Sequence, residues 1–158
     1  MRKISTQEED MNKRFFIDSN IFIEALKKNP DYQAKELISY IYTDIFNDYY
    51  INDIVFSEVY YHLIIKGKLT ARKKENDLWK LISSILFLNS NFQIIEEARN
   101  LIKNKKLKTN DALILSTVKN YQIPYLISLD NDFSDCIKNE NIKIISKPEE
   151  LKTLVKEM

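Results

Sequence analysis

The stretch "IPYLISLDNDF", residues 123–133, limits what this chain can fold into more than any other part of it. Residues 123–129 form a nearly unbroken apolar run without the alternation of a half-exposed strand, so they read as a strand covered on both faces. Such a strand needs helices on both sides of it, which points to an α/β fold with a parallel sheet flanked by helices. The rest of the sequence supplies that pattern. Residues 13–18, 49–52 and 142–145 read as further strands, and 92–96 as a strand or an extended lead-in. Helices are expected over 21–28, 31–47, 53–65, 70–86, 97–105 and 109–121. Asp53, Thr70 and Thr109 are the expected N-caps, and Gly67 the expected stop. "SKPE", residues 146–149, reads as a capping box with Pro148 opening a C-terminal helix.

Composition narrows the function. A chain of 158 residues supports one hydrophobic core without disulfides, so residues 13–158 are expected to form a single domain behind a flexible polar tail at 1–12. Cys136 is the only cysteine, which excludes an intramolecular disulfide and a cysteine-based zinc site. With Gly67 as the only glycine, neither a P-loop nor a GxGxxG turn can be built. His62 is the only histidine, and no GxSxG elbow accompanies it, so a Ser-His-Asp hydrolase is set aside and His62 is expected to be structural. No signal peptide and no apolar run of about 18 residues is present, so a cytoplasmic protein with no membrane partner is expected. The net charge of +1 does not decide for or against a nucleic-acid partner, but "KGKLTARKK" (66–74) and "KNKKLK" (103–108) are locally basic. Lys66, Lys68, Arg72, Lys105 and Lys106 are the candidates for phosphate contacts.

Acidic residues carry the chemistry. Asp18 ends the first strand, Glu58 lies in an otherwise apolar helix, Asp111 falls in the first turn of a helix, and Asp130 and Asp132 come just after the strand at 123–129. Singly, each has a bland explanation: a helix-start Asp stabilises the helix dipole by about 0.3–1 kcal/mol, and a strand-end Asp caps the helix after it. Together they sit where a parallel sheet places its ligands, outside the carboxyl ends of its strands. Gathered carboxylates raise one another's pKa, and a hard divalent cation such as Mg²⁺ relieves that repulsion through oxygen ligands. One or two such ions activate water and stabilise the leaving oxygen of a phosphodiester, with no need for histidine or thiol.

These segments resemble the motifs of the PIN-domain ribonucleases, and in particular the VapC-like toxin branch. "FFIDSNIFIEAL", "FSEVYYHL", "NDALILSTVKNY" and "IPYLISLDNDF" match that family's four motifs in order. The resemblance implies a three-layer α/β/α sandwich with a central parallel sheet, and an Mg²⁺- or Mn²⁺-dependent endoribonuclease. It assigns Asp18, Glu58, Asp111 and Asp130 to catalysis and metal binding, with Asp18 and Asp111 as principal ligands. Ser19, Asn20, Ser128 and Asp132 are the supporting positions, Ser128 standing where the family has Thr. RNA is the implied substrate, cleaved to leave a 5′-phosphate and a 3′-hydroxyl. A homodimer and a silencing antitoxin are the implied partners. A PIN-type RNA-processing nuclease without an antitoxin, and a catalytically silent RNA-binding module of the same fold, are the alternatives. A haloacid-dehalogenase-like phosphatase fits poorly, because that family wants a second Asp where this chain has Asn20.

Overall fold

The computed structural model describes residues 12–70, 72–138 and 140–156. Apart from Asn12, the expected tail at 1–12 lies outside them. In chain order the elements are β1 (Arg14–Ile17), α1 (Ser19–Leu26), α2 (Tyr32–Thr43), β2 (Asp48–Ile51), α3 (Asp53–Tyr60), α4 (Glu75–Ser83), β3 (Leu86–Phe87), α5 (Phe92–Lys105), α6 (Thr109–Asn120), β4 (Tyr125–Ile127), β5 (Lys143–Ile145) and α7 (Pro148–Lys156). The five strands form one parallel sheet in the order β3-β2-β1-β4-β5, and helices complete a three-layer α/β/α sandwich. Apolar strands explain why the sheet is central: Phe15, Phe16, Ile17, Leu126 and Ile127 are fully buried. Phe15 stacks between Tyr49 and Tyr125, with ring centroids 5.0 Å away on each side, tying β2, β1 and β4 into one register.

Strand order reverses between β1 and β4, so the carboxyl ends of these two strands flank the switch point where such sheets bind ligands. Register then fixes who meets there. Ile17 lies opposite Ile127, and the Asp18 N–H donates to the Ile127 carbonyl at 2.9 Å. Asp18 and Ser128 therefore leave adjacent strands side by side.

Several boundaries depart from the sequence reading, each for a local reason. Residues 92–96 are not a strand but the first turn of α5, capped by Asn91, which accepts from the Ile94 N–H at 2.9 Å. The third strand is instead the two-residue β3. The expected helix at 70–86 starts at Glu75, because Thr70 donates its N–H to the Leu26 carbonyl and Leu69 bridges to Lys27. Asn52, not Asp53, caps α3 by accepting from the Val55 N–H, while its amide donates to Thr117 on α6. Thr109 is the first helical residue of α6 rather than its cap. Asp44 stops α2 short of 47 by accepting from Phe46 N–H, Asn47 and the Tyr49 hydroxyl. Pro148 opens α7 as expected, but Glu150 rather than Glu149 accepts from Ser146 and Lys147. Beyond Tyr60 the helix widens into a π-helical turn at Tyr61–Ile65 with Lys66 as its C-cap, and Gly67 follows with a φ of 68° that suits glycine. Among the described residues no helix is long and apolar enough to cross a membrane.

Candidate active site

The carboxylates converge on the switch point. Asp18 is 3% exposed. Its Oδ1 accepts from the Ser19 N–H at 2.7 Å and its Oδ2 from the Ser128 hydroxyl at 2.7 Å. Ser128 is fixed in turn, accepting from the Asp130 N–H at 3.0 Å and from the Asn20 amide at 3.4 Å. Asn20 also accepts from the Leu129 N–H at 3.2 Å, so one side chain clamps the end of β4 against the start of α1. The Ser19 hydroxyl lies 3.5 Å from Asp18 Oδ1 and donates to Glu58 Oε1 at 2.8 Å, linking α1 to the half-buried Glu58 of α3. Ser19, Asn20 and Ser128 thus hold the acids in place.

Asp111, Asp130 and Asp132 form the tightest group: each offers a carboxylate oxygen, and these atoms all lie within 4.8 Å of one another. The turn after β4 makes this possible. Asp130 Oδ1 accepts from the Asp132 N–H at 2.9 Å, which starts a short 3₁₀ helix at Asn131–Cys136 and brings Asp132 back beside Asp130. Phe133, fully buried, anchors that turn to the core. The sequence reading put Asp132 in a supporting position; the geometry groups it with Asp111 and Asp130.

All five acids share one field. Burial pushes the Asp18 carboxyl up to about 7, against the hydrogen bonds from Ser128 and Ser19, with Asp111 and Glu58 adding repulsion. Asp111 is pushed up to about 6 by burial and by Asp130, Glu58 and Asp132, while Lys108 opposes the shift. An all-oxygen acidic set without histidine or sulfur suits a hard cation.

Two residues at the site were given no role beside the acids by the sequence reading, which counted Lys108 only within the basic run 103–108. Asn110 donates to Glu58 Oε2 at 3.3 Å, and Lys108, at the cap position of α6, faces Asp111 electrostatically. Their adjacency to Asp111 in "KTND" was the available signal. Of the basic candidates, Lys105 and Lys106 end α5 just before the loop into α6, whereas Lys66 packs over the Tyr61 ring at 5.6 Å. Lys68 and Arg72 lie beyond the far end of α1 and line cavities there. His62 sits in the π-helical turn with a buried Nδ1 that has no hydrogen-bond partner among the described residues.

The sequence pattern of the PIN domain matches residues 15–138. The chain belongs to the PIN-domain family. It is 35% identical over 148 residues to ribonuclease VapC2 of Methanocaldococcus jannaschii, covering 84% of this chain and 93% of the relative. To ribonuclease VapC6 of the same organism it is 30% identical over 153 residues, covering 84% and 96%. Among solved structures it resembles a toxin–antitoxin complex from Klebsiella pneumoniae, with a TM-score of 0.61, 22% identity, and coverage of 84% of this chain and 96% of that one. The PIN match spans all five acids, from β1 to the turn after β4.

Proposed function

We propose that this PIN-domain protein is a metal-dependent endoribonuclease, the toxin of a toxin–antitoxin pair, acting as a single nuclease domain over residues 13–158. The observation that carries this reading is the convergence of five acids at the switch point of the sheet, three with oxygens within 4.8 Å of one another. The ribonuclease names of two relatives that align along nearly their whole length support the same reading.

Asp111, Asp130 and Asp132 fit an Mg²⁺ or Mn²⁺ ion, with Asp18 and Glu58 completing the acidic pocket. When bound, such a cation offsets the carboxylate repulsion, activates water and stabilises the leaving oxygen of a phosphodiester. The chain's own groups do the positioning. Asp18 has both oxygens engaged, by Ser19 N–H and by Ser128, and is held rigidly. Glu58 is oriented from both sides by Ser19 and Asn110. Lys105, Lys106 and Lys108 precede Asp111 along the chain and supply positive charge for an incoming strand, while Lys68 and Arg72 lie beyond the far end of α1 and Lys66 over the Tyr61 ring. A cytoplasmic homodimer silenced by an antitoxin completes the reading. The exposed Leu86 and Phe87 of edge strand β3, with Phe92 and Ile95 of α5, give a second copy an apolar surface to cover.

The test is cleavage of end-labelled single-stranded and structured RNAs with Mg²⁺, with Mn²⁺ and with EDTA, alongside Asp111→Asn and Asp130→Asn. Metal-dependent cutting that both variants lose is the expected result. Cutting that persists in EDTA, or in both variants, would overturn the assignment.

A further inference from the structure

Acids gather at the start of α1 and cations at its end. The segment after Gly67 is stitched onto that end: the Lys28 N–H donates to the Lys68 carbonyl at 3.1 Å, and the Thr70 N–H to the Leu26 carbonyl at 3.1 Å. Two adjoining hollows result, sharing Lys27 as a wall. The larger, about 460 Å³, has a floor of Ala25, Leu26 and Ile38 and a rim bearing Lys35, Arg72 and Lys73. The smaller, about 260 Å³, is lined by Lys27, Lys28 and Lys68 beside Asn29 and Gly67. Neither wall contains a carboxylate. Lys27 is paired with Glu24 at 2.7 Å, but Lys28, Lys35, Lys68, Arg72 and Lys73 form no ion pair among the described residues, and all five are exposed.

In a chain whose charges otherwise balance, this segregation sets up a local excess of positive charge around the Lys27–Glu24 pair. We propose that the two hollows form an RNA-backbone subsite, in which phosphates flanking the cut are held by Lys35, Arg72 and Lys73 in the larger hollow and by Lys28 and Lys68 in the smaller. This rests on the nuclease reading and deepens it. Five acids against Lys108 leave the centre net negative before a cation binds, so cations displaced from it add to the grip on a strand. α1 provides the displacement: eight residues at 1.5 Å each separate the acids from the hollows by roughly 12 Å, a few nucleotides of extended strand. Long, flexible side chains spread over two hollows suit a repeating polyanion, and Arg72 adds a fork that takes a phosphate through two hydrogen bonds.

The experiment uses the full chain, with Asp111→Asn added for binding so that the RNA survives. Affinity for a labelled single strand of about a dozen nucleotides is measured against salt. The pair Lys35→Gln/Arg72→Gln is compared with Lys143→Gln/Lys156→Gln, which removes the same charge elsewhere from exposed positions. Losing two phosphate contacts lowers the slope of log K against log salt by about 1.4. Affinity is expected to fall about tenfold or more relative to the control pair, and in the cutting-competent chain KM rises with kcat unchanged. If the parent chain cuts RNA but the hollow pair matches the control pair in slope and KM, the subsite is wrong while the nuclease reading stands; the hollows then suit an acidic protein partner instead. If the parent chain neither binds nor cuts RNA, both readings fall.

Discussion

Replacing Asp18 by Asn should reveal an acid that is buried at the expense of the fold. The carboxyl is 3% exposed and its pKa is pushed from 3.8 up to about 7, chiefly by burial. A raised folded-state pKa means that the native state holds its proton more tightly than the unfolded chain does. Stability from this group is therefore full below about pH 4 and is lost as the pH rises through about 7. About three pKa units correspond to roughly 4 kcal/mol of lost stability once the group is ionised. Asn cannot ionise, so that loss disappears. Against it stands a cost without pH dependence: the new amide faces the Ser128 oxygen, and the hydroxyl that donated to Oδ2 loses its acceptor, worth about 1–2 kcal/mol. Near pH 8, without metal, Asp18→Asn should be more stable than the parent by roughly 2 kcal/mol, and near pH 4 less stable by about 1. Asp111, pushed up to about 6, keeps its own pH dependence in both proteins, so the difference between them is the quantity to track. Urea unfolding in EDTA across this range measures it. Adding Mg²⁺ or Mn²⁺ should stabilise the parent more than the variant and narrow the gap. A difference that stays flat with pH, or a variant unfolded near pH 8, would refute the argument and make Asp18 a structural cap.

Three further substitutions separate holding from shaping. Ser19→Ala removes the donor to Glu58 and should lower cleavage and Mn²⁺ affinity about 10–100-fold with the fold retained, as activity assays and metal titration would report. Asn52→Ala deletes both the α3 cap and the buried bond to Thr117, and should cost about 2 kcal/mol in urea unfolding without changing metal affinity. His62→Leu removes a buried nitrogen without a partner among the described residues; it should leave cleavage intact and be neutral or up to about 1 kcal/mol more stable by the same measurement.

Much of the site was legible because its acids stand at element boundaries that the sequence marks. Asp18 and Asp130 each come after an apolar strand, and Asp111 opens an apolar helix, so the parallel-sheet rule brought them to one edge. Local readings failed where a tertiary contact or a weak period decided the outcome. Ile94 and Ile95 look like a strand in isolation; only Ile94, Ala98 and Leu101, buried at helical spacing, and the cap at Asn91 reveal α5. β3 is two residues long, too short to stand out beside the helix before it. Thr70 would suit an N-cap, but its N–H is already committed to Leu26.

Charge placement shows the same division more sharply. The nearness of Asp132 to Asp111 depends on the 3₁₀ turn that Asp130 starts and Phe133 anchors, which sequence spacing does not encode. The cations of the two hollows come from the end of α1, from α2 and from the segment after Gly67. Only the last of these is a basic run in the sequence; Lys28 and Lys35 lie seven positions apart across a proline break. They become one surface because the Lys28–Lys68 and Thr70–Leu26 hydrogen bonds close the loop onto α1. The same α1 begins at Ser19, beside the acids, so a single short helix sets both the distance and the direction from the negative centre to the positive hollows. A nuclease needs both signs of charge near its substrate but not at the same point, and here the length of α1 keeps them apart.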